Sequence, residues 1–124
     1  MYTLHIANKN YSSWSLRPWV LMKELGIDFN EQLIVFGDEP TWHAYGRLSP
    51  SGKVPCLMDE STTVWDSLAI VEYLAESHDE VWPKGAKARA WARCAAAEMH
   101  SGFQSLRDIC SMNVGLRIRM NTVS

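Results

Sequence analysis

Strand and helix patterns alternate through residues 1–78, and this alternation constrains the fold more than any other feature of the sequence. Short stretches rich in alternating apolar residues predict four strands, and stretches of helical spacing between them predict three helices. The predicted strands are 2–7, 29–36, 53–59 and 62–66, and the predicted helices are 16–25, 42–47 and 67–77. The element order is therefore β-α-β-α-β-β-α.

This order predicts a mixed sheet. A strand-helix-strand unit is right-handed and sets its two strands parallel to each other. The last two strands are joined by a tight polar turn at residues 59–62, so they form an antiparallel hairpin. The combination is the topology of a thioredoxin-like α/β domain, which we expect over residues 1–78.

A helical segment is predicted after this domain. Residues 79–86 contain Pro83 and Gly85, which is typical of a linker. Apolar residues then recur at spacings of three and four, which predicts one long amphipathic helix. Its apolar stripe consists of Ala88, Trp91, Ala95, Met99, Phe103, Leu106 and Cys110. We expect residues 87–124 to be the first helix of an incomplete all-α domain, and two copies of the chain to bury the stripe in a homodimer.

Composition and charge narrow the class of function. Twelve basic and fourteen acidic residues give a formal net charge of -2, and no basic patch with interleaved aromatic residues is present. Nucleic acid is therefore not an expected partner. No apolar run approaches the ~18 residues of a membrane helix, and the N-terminal segment lacks the pattern of a signal peptide. We expect a cytoplasmic protein with no membrane partner.

Three cysteines and four histidines show neither a disulfide framework nor a metal-ligand spacing. The odd number of cysteines, with no CxxC pair, favours reduced thiols. Cys56 follows Pro55 on a predicted strand, and we expect its side chain in the core rather than at a reacting centre. No zinc-ligand spacing occurs, so no metal site is expected.

The segment NYSSWSLRPW, residues 10–19, lies where the first strand gives way to the first helix. A helix N-terminus offers unpaired N–H groups and the positive end of the helix dipole, which together attract an anion. We expect Ser15 to be the N-cap of a helix that begins at Leu16. Ser12 and Ser13 then precede the cap. Their hydroxyls either belong to an ordinary turn, which spacing alone favours, or donate to the thiolate of a bound ligand.

Two further segments carry candidate binding residues. Val54-Pro55 opens the third strand, where a trans bond is the statistical expectation and a cis bond would expose the Val54 N–H and C=O to an extended peptide. Asp66 and Ser67 begin the third helix, where they either cap it or hold a ligand's ammonium or carboxylate group. Lys53 is either a solvated loop residue or a partner for a ligand carboxylate.

The three segments occur in one order on one topology, and the combination resembles the N-terminal domain of cytosolic glutathione S-transferases. SPSGKVPCL is similar to the family's loop into its cis-proline strand, and DSLAI is similar to its glutamyl-binding helix motif. SSWSLR resembles the serine motif of the zeta class, which includes maleylacetoacetate isomerases, with Trp14 where that class has cysteine. NYSSWSLRPW together with EMHSGFQSLR is similar to a bacterial branch of the family.

The resemblance implies that glutathione is the cosubstrate and that Ser12, with Ser13 as the second candidate, stabilises its thiolate. The implied glutathione-binding residues are Lys53, Val54, Pro55, Asp66 and Ser67. Val54 would pair through its backbone with the cysteinyl unit. The two residues at the helix start would hold the γ-glutamyl end, and the lysine would meet the glycyl carboxylate.

The implied activity is attack of the glutathione thiolate on a small electrophile, including the cis-trans isomerisation of a substrate like maleylacetoacetate. Members of the family carry a longer helical second domain. We therefore expect a fragment, a truncated product or a protein whose partner supplies the missing face. The alternative hypothesis is a non-catalytic module that binds glutathione or dimerises.

Overall fold

The computed structural model describes residues 1–35, 37 and 39–120. These residues form four strands and five helices. The strands are β1 (Tyr2–Ile6), β2 (Phe29–Leu33), β3 (Cys56–Asp59) and β4 (Thr62–Trp65). The helices are α1 (Ser13–Glu24), α2 (Glu39–Leu48), α3 (Ser67–Ala75), α4 (Ala86–Ser101) and α5 (Gln104–Ile109).

The strands form one mixed sheet in the order β2-β1-β3-β4. β1 is parallel to β2 and antiparallel to β3, and β3 is antiparallel to β4. Since β3 runs opposite to its neighbours, its first residue, Cys56, lies at the same edge of the sheet as the last residues of the other three strands. The predicted β-α-β-α-β-β-α order and the thioredoxin-like fold are confirmed.

The main core lies between the sheet and helices α1 and α3. Alternate residues of a strand share one face, so Leu4 and Ile6 point to the same side of β1, and Leu57 stands opposite Leu4 in the register. Each of these fully buried side chains contributes about 1.5–3 kcal/mol to folding. The buried cluster comprises Leu4, Ile6, Met22, Ile27, Leu57, Ile70 and Leu74.

A smaller cluster occupies the other face of the sheet, beneath α2. It consists of Ile34, Tyr45 and Cys56, with Val54 packed against it. Cys56 is buried there, which confirms its expected place in the core. Burial raises the pKa of its thiol, so Cys56 is held in the protonated form.

Helix α1 begins three residues before its predicted start, and its N-cap is Ser12. The prediction that Ser15 caps this helix is wrong. The side chain of Ser15 is fully buried, and its Oγ accepts a hydrogen bond from the Ala7 backbone N–H at 3.0 Å. The amide after β1 has no strand partner, and a hydroxyl from the first turn of α1 satisfies it.

The second strand and the second helix differ in length from the prediction. β2 ends at Leu33, and the predicted strand residue Phe36 and loop residue Asp38 lie outside the described residues. α2 is a ten-residue helix where a short irregular one was expected over 42–47. Pro40 stands in its first turn, where a missing N–H breaks no intrahelical hydrogen bond.

The predicted long helix is divided into α4 and α5, with Gly102 and Phe103 between them. Gly102 is extended, and Phe103 adopts the left-handed conformation with φ of 61°. The guanidinium of Arg107 donates to the carbonyls of Met99 and His100, and so satisfies acceptors that the end of α4 leaves free. The prediction of one continuous helix through residue 110 is therefore wrong.

Only one side of α4 faces the thioredoxin-like domain. Met99 and His100 are half-buried on that side, whereas Trp91 is 74% exposed and Phe103 is also exposed. Most of the predicted apolar stripe is thus uncovered, as expected, but Met99 is not part of the uncovered surface. Within the described residues, no helix has the length and apolar character needed to cross a membrane.

Candidate active site

The edge of the sheet where β1, β2 and β4 end and β3 begins carries two cavities. Helices α1 and α3 each follow a strand that ends at this edge, α1 after a short loop and α3 after one residue, so both N-termini reach it. One cavity has a volume of about 530 Å³ and the other of about 550 Å³. Both are lined by Trp14 and Val54, so these two residues form the boundary between them.

The structure brings together all the site residues predicted from the sequence. The described residues that line the first cavity are Trp14, Ser51, Lys53, Val54, Pro55, Trp65, Asp66, Ser67 and His100. Those that line the second are Ala7, Asn8, Tyr11, Ser12, Ser13, Trp14, Leu33, Ile34, Val35 and Val54. The five predicted glutathione-binding residues share the first cavity, and the two candidate thiolate-stabilising serines share the second.

The loop before β3 is built by a tight turn. Gly52 adopts a positive φ of 66°, which glycine tolerates without steric cost, and its N–H donates to the Ser49 carbonyl at 3.0 Å. The backbone N–H of Lys53 donates to Ser51 Oγ at 3.2 Å. The Val54–Pro55 peptide bond that follows is cis. Lys53 is exposed at the rim of the first cavity.

Asp66 is the N-cap of α3, as the capping alternative predicted. Its side chain accepts a hydrogen bond from the Leu68 N–H at 2.9 Å through Oδ1, which leaves Oδ2 toward the first cavity. Its backbone has φ of 80° and ψ of 136°, a conformation that costs a non-glycine residue about 1–3 kcal/mol. Ser67 is buried beside it. Strain of this kind is commonly retained at binding sites.

The side chain of His100, which was not predicted as a site residue, contacts Asp66 and Ser67. It reaches from α4 into the first cavity, with Nε2 at 3.4 Å from Asp66 Oδ2 and Nδ1 at 3.5 Å from Ser67 Oγ. The sequence signal that could have identified His100 is helical spacing. His100 is four residues after Ala96, so both lie on the half-buried face of α4. Met99, a member of the predicted apolar stripe, lies on the same face.

Trp14 is held between two guanidinium groups. The Cζ atoms of Arg17 and Arg107 lie 4.2 and 4.3 Å from its ring centroid, within the range of cation–π attraction. The His100 ring meets the same indole edge to face at 5.1 Å. Burial, and secondarily the charge of Arg107, lowers the pKa of Arg17. The wall between the two cavities therefore joins α1 to α4 and α5.

The hydroxyl of Ser12 lies at the N-terminus of α1 in the second cavity. It accepts a hydrogen bond from the Ser15 N–H at 3.3 Å and donates one to Ser15 Oγ at 2.9 Å. A hydroxyl has one donor and two acceptor positions, so Ser12 can turn its proton to an anion while it still accepts from the helix. Ser13 is half-buried in the same cavity and is the first residue of the helix.

The part of the chain that the structure describes contains no ready-made metal site. No group of three or more histidine, cysteine, aspartate or glutamate side chains is arranged there to hold a metal ion. The two cavities present hydroxyls, a helix N-terminus, a carboxylate and a backbone peptide.

Comparison with known proteins decides the family. Residues 11–77, more than half of the chain, match the family model described as the glutathione S-transferase N-terminal domain. The chain belongs to the glutathione S-transferase family. This confirms the resemblance found in the sequence, and the matched segment contains every predicted site residue.

Two relatives of this transferase-family chain are maleylacetoacetate isomerases. A probable maleylacetoacetate isomerase from Caenorhabditis elegans is 30% identical over 99 residues, which cover 78% of this chain and 45% of that protein. A maleylacetoacetate isomerase from Dictyostelium discoideum is 31% identical over 100 residues, covering 78% and 46%. The chain thus spans about half the length of these relatives.

The solved structures agree with this family. A glutathione transferase homologue from Burkholderia with bound glutathione superposes with a TM-score of 0.70 at 28% identity. The match covers 86% of this chain and 57% of the homologue. The thioredoxin-like domain and the first helices after it are therefore shared with a glutathione transferase homologue.

Proposed function

We propose that this chain binds glutathione in the first cavity and stabilises its thiolate at the N-terminus of α1, for attack on a small electrophile in the second. One observation carries the proposal. The residues assigned to glutathione and the serines assigned to its thiol line two cavities that meet at Val54 and Trp14. Membership of the family, and the Burkholderia homologue with bound glutathione, support the same ligand.

The polar groups of the first cavity suit the two ends of the tripeptide. Asp66 Oδ2, which does not take part in the cap and lies 3.4 Å from His100 Nε2, would pair with the ammonium of the γ-glutamyl unit. Ser67 and the N-terminus of α3 would hold the neighbouring carboxylate. Lys53 at the rim of the same cavity would meet the glycyl carboxylate, and Val54 beside the cis peptide bond would pair with the cysteinyl unit through its backbone.

The thiol would then lie near α1. Lowering a thiol pKa from ~8.5 to ~6.5 requires about 2.7 kcal/mol of preferential stabilisation of the thiolate. A charge-assisted hydrogen bond from Ser12, or from Ser13, together with the helix dipole supplies a quantity of this size. Leu33, Ile34 and Val35 give the second cavity an apolar wall suited to a small electrophile. Isomerisation of a compound like maleylacetoacetate is the specific reaction that the two isomerase relatives favour.

Isothermal titration with glutathione tests the proposal. We expect a dissociation constant in the millimolar range or tighter, about tenfold weaker in Ser67→Ala, because that hydroxyl contacts the γ-glutamyl carboxylate. Ser101→Ala is the matched control, since Ser101 is an exposed serine on α4, and it should bind like the wild type. Absence of heat with the wild-type chain would reject glutathione as the ligand.

The exposed apolar side chains of α4 and α5 favour a second candidate function, a non-catalytic dimerising module. Trp91, Phe103, Leu106 and Ile109 are all exposed. A contiguous apolar surface on a monomer promotes association, and a two-fold dimer is the simplest closed arrangement that buries it. Activity on an aromatic halide, with glutathione omitted as the control, separates the two candidates, because only the enzyme turns over.

The cytoplasm is the compartment we propose for this chain. Cys94 and Cys110 are exposed free thiols, and Cys56 is free and buried. Exposed thiols of this kind persist in a reducing environment. The cytoplasm would also supply glutathione.

A further inference from the structure

A buried tyrosine behind the first cavity holds the backbone of its central loop. Tyr45 of α2 is 1% exposed, and its hydroxyl donates a hydrogen bond to the Lys53 carbonyl at 2.6 Å. Ser49, which directly follows α2, donates to the same oxygen through Oγ at 3.2 Å. A carbonyl oxygen has two lone pairs, so both of its acceptor positions are filled. Tyr45 is not among the described residues that line either cavity.

The position of that oxygen determines where the next amide points. The Lys53 carbonyl and the Val54 N–H belong to one planar peptide unit, and in a trans unit these two groups point in opposite directions. Because the oxygen is held toward Tyr45 and Ser49, the Val54 N–H is directed away from them. Val54 lines both cavities, and its amide is a group with which an extended peptide can pair.

We infer that Tyr45 is a positioning residue for glutathione, which acts by fixing the Lys53–Val54 peptide plane so that the Val54 N–H faces the cysteinyl carbonyl of the ligand. The inference rests on the proposed function and adds to it a residue that never touches the ligand. Ser49 acts in the same way through its weaker bond.

The surroundings of Tyr45 keep this arrangement in place. Its ring packs against His5 with centroids 6.0 Å apart, and it belongs to the small cluster with Ile34 and Cys56. Burial raises the pKa of Tyr45 to about 12, so the hydroxyl remains a donor throughout the physiological range. The hydroxyl therefore keeps the proton that it donates to the Lys53 carbonyl across this range.

Titration of Tyr45→Phe with two ligands tests the inference. The first is glutathione, and the second is γ-glutamylcysteamine, which has the same γ-glutamyl end and thiol but no cysteinyl carbonyl. We expect the dissociation constant for glutathione to rise about fivefold, and that for γ-glutamylcysteamine to remain equal to the wild-type value. Tyr73→Phe is the matched control, because the Tyr73 hydroxyl donates to Asp59 Oδ2 at 2.8 Å, away from the loop. It should bind both ligands like the wild type.

Each other outcome has a separate meaning. An unchanged affinity of Tyr45→Phe for glutathione would overturn the inference. An equal loss of affinity for both ligands would overturn it too, since a general structural defect weakens the binding of both ligands alike. If Tyr45→Phe does not fold, Ser49→Ala is tested instead. Its affinity for glutathione should fall two- to threefold, and its affinity for γ-glutamylcysteamine should not change. A wild-type chain that binds neither ligand would overturn the proposed function, and the inference with it.

Discussion

Ser12 and Ser15 are joined by two hydrogen bonds at the start of α1, one from the Ser15 N–H to Ser12 Oγ at 3.3 Å and one from Ser12 Oγ to Ser15 Oγ at 2.9 Å. Ser12 is thus both the cap of the helix and the first candidate for stabilising a thiolate. Ser13 has no part in this pair. The two candidate serines therefore differ in what their removal costs the fold.

Alanine substitution separates the two serines. Ser12→Ala should lower the free energy of unfolding by about 1 kcal/mol, because it removes the N-cap acceptor. Ser13→Ala should change it by less than about 0.5 kcal/mol. Urea unfolding measures both values. If Ser12 also donates to the thiolate, the pKa of bound glutathione, followed by thiolate absorbance against pH, rises in Ser12→Ala and stays at the wild-type value in Ser13→Ala.

The double variant tests whether either serine is needed. Ser12→Ala combined with Ser13→Ala should abolish thiolate formation while leaving the affinity for glutathione largely intact, because the residues proposed for the γ-glutamyl and glycyl ends line the other cavity. Titration and absorbance on the same sample check both statements. Conjugation that survives the double substitution would contradict the mechanism, although not the binding.

Trp14 should contribute to stability through the two guanidinium groups on it. Trp14→Leu removes cation–π contacts at 4.2 and 4.3 Å and should lower the free energy of unfolding by about 2 kcal/mol. Trp14→Phe keeps an aromatic face and should lose about half as much. Denaturant unfolding of the three proteins gives the comparison, and equal losses in both variants would show that ring volume, not charge, matters.

The stability of the chain should depend on pH through His5. This histidine is buried on β1, and burial lowers its pKa from 6.5, only partly offset by a backbone hydrogen bond with Cys56. Below pH 6.5 the unfolded chain takes up the proton and the folded chain does so less readily. Stability is therefore lost as pH falls, by up to about 1.4 kcal/mol per pH unit until His5 titrates in the folded state.

The matched pair for this prediction is His5→Gln and His43→Gln. Glutamine at residue 5 should flatten the fall in unfolding free energy between pH 7 and pH 5, whereas the exposed His43 should not matter. Thermal unfolding at a series of pH values measures the slope. Parallel slopes for the wild type and His5→Gln would refute the assignment to His5.

Much of the fold could be predicted because its signals are local. The alternation of Leu4 and Ile6, the polar turn of the β3–β4 hairpin and the apolar face of α3 each identify their element. The start of α1 could not be predicted in the same way. Ser12 and Ser15 have equal capping propensity, and the choice between them depends on the unpaired amide of Ala7.

Site residues could be predicted where one short motif contains them. They could not be predicted where the site forms between segments that are far apart in the chain. The loop at Val54 and the helix start at Asp66 each form one motif in the sequence. His100 is 33 residues beyond Ser67 in the chain, and its contact with the cavity depends on how α4 packs. The break between α4 and α5 could not be predicted from the sequence either, because phenylalanine rarely adopts the left-handed conformation that Phe103 has.

The uncovered surface of α4 and α5 leads to the last prediction, a dimer at micromolar concentration. Trp91 on this surface is 74% exposed, and removing a tryptophan of this kind from water provides a large share of an interface's free energy. Trp91→Glu should give a monomer in sedimentation velocity. Val20→Glu, which places the same charge at an exposed apolar position on α1, should remain dimeric. A wild-type chain that sediments as a monomer would exclude this surface as a self-association site, and the two variants would then sediment alike.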